Sequence, residues 1–377
     1  MSDSPFDSTR NIPLETTDGS GSRVESACAR LVGRIEAEQP HLHALLLVHR
    51  GELVLERYRP GHSVTEPHRL YSVAKSFTAL AIGALIDDRR LRLTDRMVDH
   101  FPEKLPPTVH PWIAAMTVED LLTMRTAHRI TSFTQTEDTD WVRSFFTVEP
   151  AQQPGTRFAY DTSATVVLAA LAEKLSGSRL EDYLLQRVLA PLGFGAEART
   201  VPGQPILQAW RSPLGLSAAQ RGGRPSWESV PDNPQGVPHG GSALFCTARD
   251  LARFAQLCLG QGRSGETQIL SAEFMAAATG WQAPTADENF PCLENRQGYG
   301  YQFWRTRHDG FLAWGMGGQI VLCLPEHDLA LITTGSSFDR SDDHQMIFDA
   351  VFEELLPALT PVSAPQTTLR IPEETFG

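Results

Sequence analysis

Ser72-Val73-Ala74-Lys75 places a hydroxyl and an amine three residues apart, which on a helix is one face and one turn. An amine within reach of an alcohol takes its proton and turns it into a nucleophile. The amine must be neutral to do so, and neutrality requires a buried or cation-rich pocket that lowers its pKa. Lysine is scarce here: Lys75, Lys104 and Lys174 stand against thirty arginines, so the spacing is less easily produced by chance. The plainer alternative is that Ser72 caps a helix and Lys75 is a solvated first-turn residue.

The elements around the tetrad bear on that choice. Residues 43–48 and 53–58 flank Arg50-Gly51 and read as two strands joined by a tight turn. Beyond the serine, Phe77, Leu80, Ala81, Ala84 and Leu85 recur at helical spacing, with no proline or charge from Ser76 to Ile86. Ser72 therefore falls at the start of a buried helix. The first helical N–H groups lack intrahelical partners, so the amide of Ser72 itself can stabilise an oxyanion while its side chain attacks.

Further along, helical patterns cover 117–124, 140–146, 163–175 and 180–189, separated by Pro/Gly-rich connections. Strand character returns at 298–307, 311–314, 320–324 and 329–333, and 343–356 closes with a helix. The economical reading is an α+β protein, an antiparallel sheet flanked by helices with an inserted all-helical domain. Its parts are a flexible arm at 1–22, a discontinuous sheet domain at 23–90 and 242–357, a helical domain at 91–241 and a tail at 358–377. Residues 195–235, rich in Gly and Pro, read as a surface loop or part of a lid.

Composition narrows the partners. Thirty-three basic against forty-five acidic residues give a net charge of −12, which argues against nucleic acid and anionic membrane. The polar first 21 residues lack the apolar core of a signal peptide, and the longest apolar runs, 79–86 and 165–172, are too short to span a bilayer; a cytoplasmic location is expected. Five widely spaced cysteines read as buried free thiols. No His-Glu-x-x-His, dinucleotide or P-loop pattern occurs, so neither metal nor cofactor is expected. The absence of Gly-x-Ser-x-Gly argues against a Ser-His-Asp hydrolase. His239, ahead of Gly240-Gly241, either approaches the cleft or, as is more frequent, is a loop histidine.

Two more segments complete a pattern: Pro154-Gly155-Thr156 leading to Tyr160, and Trp314-Gly315-Met316-Gly317-Gly318-Gln319 before an apolar strand. With residues 71–77, Leu121-Leu122-Thr123-Met124 and residues 247–254, they resemble, in this order, the serine β-lactamase and penicillin-binding-protein superfamily. The likeness is to the class C-like branch with its esterases, carboxypeptidases and 6-aminohexanoate-dimer hydrolases, and it spans about residues 24–356. It implies a β-lactamase/transpeptidase-like fold in which Ser72 is acylated, Lys75 takes its proton and Tyr160 helps move protons to the leaving group. It also places a second oxyanion amide on Met316, where the neighbouring glycines let backbone approach the substrate.

Departures from that pattern shape the expected substrate. Thr162 stands where penicillin-hydrolysing relatives usually carry asparagine, and a hydroxyl offers a single donor. Trp314 stands where they carry lysine or histidine, so a cation for a substrate carboxylate gives way to an apolar wall. The expectation is a small uncharged carboxylic ester or amide, cleaved through an acyl-enzyme, with amidase, peptidase or β-lactamase-type activity as the alternative. A catalytically silent binding or assembly protein is the alternative of another class; the joint presence of Ser72, Lys75 and Tyr160 speaks against it.

Overall fold

The computed structural model describes residues 7–11, 21–39, 41–194, 239–242, 244–338, 344–359 and 369. Residues 195–235, read above as a loop or lid, lie outside them. Seven strands form one antiparallel sheet: β1 (Asp7–Asn11), β2 (Leu42–His49), β3 (Glu52–Tyr58), then, from the far end of the chain, β8 (Trp304–Arg305), β9 (Phe311–Gly315), β10 (Gln319–Leu324) and β11 (Leu329–Gly335). Their spatial order is β1-β3-β2-β11-β10-β9-β8, so the middle of the sheet is the pairing of the early β2 with the late β11. Two short ribbons stand apart, β4 (His68–Arg69) with β5 (Phe245–Cys246) and β6 (Arg263–Ser264) with β7 (Thr267–Gln268).

Every residue of β10 and β11, and nearly every one of β2, is buried. Side chains alternate between faces along a strand, so this sheet is covered on both sides. Helix α9 (Ala248–Leu259) lies on β2, β10 and β11, while α1 (Gly21–Glu38) packs with the closing helix α11 (His344–Ala350). The sequence ahead of α9 has a mechanical meaning: Thr247 accepts from the Asp250 amide while Asp250 accepts from that of Thr247, a reciprocal cap.

Between β3 and β5 the chain forms α2 (Ala74–Asp87), α3 (Met97–His100), α4 (Pro111–Ala115), α5 (Val118–Leu122), α6 (Trp141–Thr147), α7 (Thr162–Ser176) and α8 (Leu180–Leu184); α10 (Ala272–Thr279) follows α9. Helix α2 is buried all round from Ala74 to Leu85, as expected of a run without charge beyond Lys75, and it packs on α7. Among the described residues no helix is long and apolar enough to cross a membrane. All five cysteines are free, and all but Cys28 are buried.

Two expectations are corrected. Asp7–Asn11, assigned to the flexible arm, pairs along β3 as an edge strand. Edge pairing uses main-chain groups alone, so a polar segment can supply it without an apolar signature. Of the strand expected at 298–307, only Trp304–Arg305 pairs in the sheet as a strand. Gly298 (φ 116°) and Gln302 (φ 61°) turn the chain through left-handed conformations instead. Gln302 then ties three helical segments together: its side chain donates to Leu121 O and Leu122 O and accepts from Thr165 Oγ1, and its carbonyl accepts from Ser76 Oγ. At the other end of the chain, Ala358, Leu359 and Leu369 of the tail pack against the core.

One buried ion pair links helix to sheet. Arg249 of α9 donates through Nε and Nη2 to the two oxygens of Glu56 on β3, at 2.7 and 2.8 Å, and Tyr58 donates to the same carboxylate at 2.8 Å. Removing one partner strands the other charge away from water. Arg249→Met is expected to lower the unfolding free energy by about 3 kcal/mol in urea titration, and Glu56→Gln in the same background to recover part of it. A loss under about 1 kcal/mol for the single variant would show the pair to be dispensable.

Candidate active site

Ser72 does not cap α2. It sits in the middle of a tight turn, Tyr71–Val73, that feeds the helix, whose N-cap, Val73, makes no side-chain cap. The turn hangs from the β4–β5 ribbon, with the Leu70 amide donating to Leu244 O at 2.8 Å, and Tyr71 enters it at φ 48°. A tyrosine in left-handed conformation is held there by its surroundings: its ring meets Phe338 edge-on at 5.5 Å, and the Arg69 guanidinium lies over it at 4.8 Å.

Lys75, one turn on, is 2 % exposed. Its Nζ lies 3.1 Å from Ser72 Oγ and donates to Gly241 O at 3.0 Å. Burial pulls its pKa from an ordinary 10.5 down to about 7, opposed in part by the negative charge of Asp161. Near neutral pH a large fraction of the amine is therefore unprotonated, the state a base requires.

Tyr160 follows the Pro154-Gly155 turn and immediately precedes Asp161, whose carboxylate accepts from the Ser163 amide at 2.8 Å to cap α7. Burial raises the phenol pKa well above 10, with a hydrogen bond to Ser72 opposing it, so the phenol is protonated at neutral pH. Its ring stacks on Trp304 at 5.4 Å and 19°, and Lys75 Nζ lies 4.9 Å from its centre. The hydroxyl of Ser72 thus has an amine on one side and a phenol on the other.

The third segment closes the floor. A side chain on Gly315, at the end of β9, would collide with Leu70 O and place a carbon 3.2 Å from the Ser72 amide nitrogen. Glycine there lets the strand lie directly against the turn that carries Ser72, and Met316 is the next residue along it. Gln319 holds the following bend by donating to Met316 O at 3.2 Å and Gly335 O. Trp314 is half-buried and donates its indole N–H to His344 Nδ1 at 3.0 Å. Thr162, at the start of α7, donates its amide to Thr131 Oγ1 at 3.3 Å.

Sequence reasoning missed the stretch His239–Ser242. Three successive carbonyls along it are held by side chains around the nucleophile: Gly240 O by Thr78 Oγ1 at 2.8 Å, Gly241 O by Lys75 Nζ, and Ser242 O by Arg69 Nε at 3.1 Å. A β-carbon on Gly241 would come within 3.0 Å of the Thr162 methyl and 3.2 Å of Lys75 Nζ, which is why two glycines occur together. His239 is in a loop, as read above, edge-on to Trp141 at 5.3 Å and within reach of the Lys75 charge. Burial lowers its pKa to about 3, so it is neutral there. The Gly-Gly pair was the available signal.

Residues 36–356 match the family model for beta-lactamase. The chain belongs to the beta-lactamase family. It is 24% identical over 352 residues to the 6-aminohexanoate-dimer hydrolase of Paenarthrobacter ureafaciens, an alignment covering 88% of this chain and 80% of that protein. Among solved structures it resembles a penicillin-binding protein homolog from Caulobacter crescentus (TM-score 0.65, 18% identity, 87% and 98% of the two chains covered). It also resembles a family VIII carboxylesterase (TM-score 0.60, 16% identity, 88% and 97% covered). At these identities the structures show the fold, a mixed helix and antiparallel-sheet architecture of the β-lactamase/transpeptidase kind. This beta-lactamase family member is thus a chain of a serine hydrolase superfamily with both amidase-type and esterase neighbours.

The buried amine leaves a mark on stability. Between about 7 and 10.5 the unfolded chain binds a proton at Lys75 that the folded chain does not, so in that window this residue makes stability rise with pH. Below about pH 7 both states bind it and the penalty is constant. Lys75→Met should therefore be more stable than the parent at pH 7, with the gap narrowing toward pH 10, as read by thermal unfolding across pH. A parent-minus-variant difference that is flat in pH would show Lys75 to be an ordinary solvated lysine.

Proposed function

We propose that this protein hydrolyses small uncharged carboxylic esters through an acyl-enzyme on Ser72. The observation that carries the reading is the desolvated amine of Lys75 at 3.1 Å from Ser72 Oγ, with burial holding its pKa near 7. In the first step Lys75 Nζ takes the hydroxyl proton as Oγ bonds to the ester carbonyl carbon. The carbonyl oxygen gains the negative charge, and the amides of Ser72 and Met316 stabilise it. Collapse breaks the bond to the alcohol, which leaves with the proton held by Lys75, passed through the protonated phenol of Tyr160. Water then attacks the acyl carbon, giving its proton back along the same groups, and the acid departs as Ser72 Oγ is reprotonated.

Substrate class follows from the walls. Trp314 gives an apolar surface where a carboxylate-binding cation would favour charged substrates, and Thr162 packs its methyl toward Gly241. The likeness to a family VIII carboxylesterase supports the ester. Cleavage of a small linear amide is the second reading, favoured by the extent of the match to a 6-aminohexanoate-dimer hydrolase.

Turnover of p-nitrophenyl acetate and butyrate tests this. Ser72→Ala is expected to abolish it, and Lys75→Ala to lower kcat/KM by about a thousandfold or more. Since the neutral amine is the base, kcat/KM should climb with pH through a midpoint near 7. Undiminished turnover in Ser72→Ala, or failure of the parent protein to react with a fluorophosphonate, would sink the assignment.

A further inference from the structure

The wall beside Ser72 is a row of rings. Tyr160 stacks on Trp304, which is buried, and Trp304 meets Trp314 at 6.5 Å and 69°. Tyr160 and Trp314 are the partly exposed members of the row. Trp314 is also one residue from Gly315, which lies against the Ser72 amide.

The orientation of that indole is set from behind. His344, the first residue of α11, is 1 % exposed, stands perpendicular to Trp314 (5.5 Å, 89°) and accepts its N–H at Nδ1. The helix is anchored in turn: Gln345 accepts from the Leu293 amide at 2.7 Å, and Asp349 accepts from Arg307, which also donates to the buried Glu294 at 2.8 Å. A half-buried tryptophan without such a partner samples several rotamers, and binding a flat group on it then includes the cost of stopping that motion. With its edge donor engaged, Trp314 offers a fixed face with no polar demand.

We propose, resting on the ester reading above, that His344 is a positioning residue for substrate choice: it locks Trp314 as a flat wall, so that esters with a planar, aryl-sized group beside the scissile bond are preferred over puckered ones of equal size. An aromatic group stacked on a fixed ring gains attraction beyond its buried area, enough for a preference of up to about tenfold.

The test compares phenyl acetate with cyclohexyl acetate, each as the ratio of variant to parent kcat/KM so that leaving-group reactivity cancels. His344→Leu is expected to lower kcat/KM for phenyl acetate about tenfold, mainly through KM, and that for cyclohexyl acetate less than twofold. His344→Asn, which keeps an acceptor near the Nδ1 position, should restore the parent values. In a Trp314→Phe background, His344→Leu should have no further effect, since the two act as one unit. A second readout is independent of turnover: the indole N–H signal lost in Trp314→Phe identifies Trp314 in 15N-edited NMR spectra, and it should move upfield in His344→Leu. Equal losses on both esters, or an undiminished effect without Trp314, overturn the substrate role; an unmoved indole signal overturns the lock. Absence of turnover of either ester by the parent overturns the ester reading and the substrate preference with it, while the NMR arm still decides the lock.

Discussion

Everything at this site depends on one unfavourable event, the removal of the Lys75 amine from water. An exposed lysine stays protonated and is no base at neutral pH. Helix α2 supplies the dry surroundings, because the sequence after Lys75 is free of charge until Asp87 and is packed on every side. Among the described residues the amine bonds to two polar atoms, Ser72 Oγ and Gly241 O. One is the hydroxyl that the proposed reaction activates. The other is a carbonyl, which orients the nitrogen without adding a charge that would hold its proton.

The rest of the architecture keeps that pocket closed and in register. Gly315 removes the side chain that would push β9 off the nucleophile turn, and Gly241 removes the one that would displace the amine. Gln302 fastens Ser76 on α2 to Thr165 on α7, which fixes the helix of the serine against the helix that follows Tyr160. Of the buried groups near the amine, His239 is neutral, while the charge of Asp161 works against burial by raising the lysine pKa. Such a site is costly to keep folded, and strain such as the left-handed Tyr71 belongs to the same account.

Much of this was legible in the residues. The tetrad at 72–75 and the charge-free run behind it placed a serine and an amine at the start of a buried helix, with a solvated Lys75 as the other reading, and the glycines at 315, 317 and 318 pointed to close backbone approach. The strands expected at 43–48, 53–58, 320–324 and 329–333 from apolar runs between turns lie within the observed β2, β3, β10 and β11. What failed had physical reasons. Tyr299, Tyr301 and Phe303 look like strand residues, yet they fill the core from a chain that reverses at Gly298 and Gln302. The edge strand at 7–11 pairs through main-chain atoms that carry no compositional signal. The carbonyls of residues 240–242 are bound by side chains some 160 to 170 positions earlier, a relation no local pattern encodes.

The central strand pairing joins residues 42–49 to residues 329–335, and the site draws on positions 72, 160, 241 and 315. Contacts of such long range form late, because so much chain must be closed into loops before they can be made. On the proposed mechanism, a nascent or partly denatured molecule therefore carries an inert serine. Covalent labelling of that hydroxyl then counts correctly assembled molecules, and a preparation can be graded for native content by how much of it reacts.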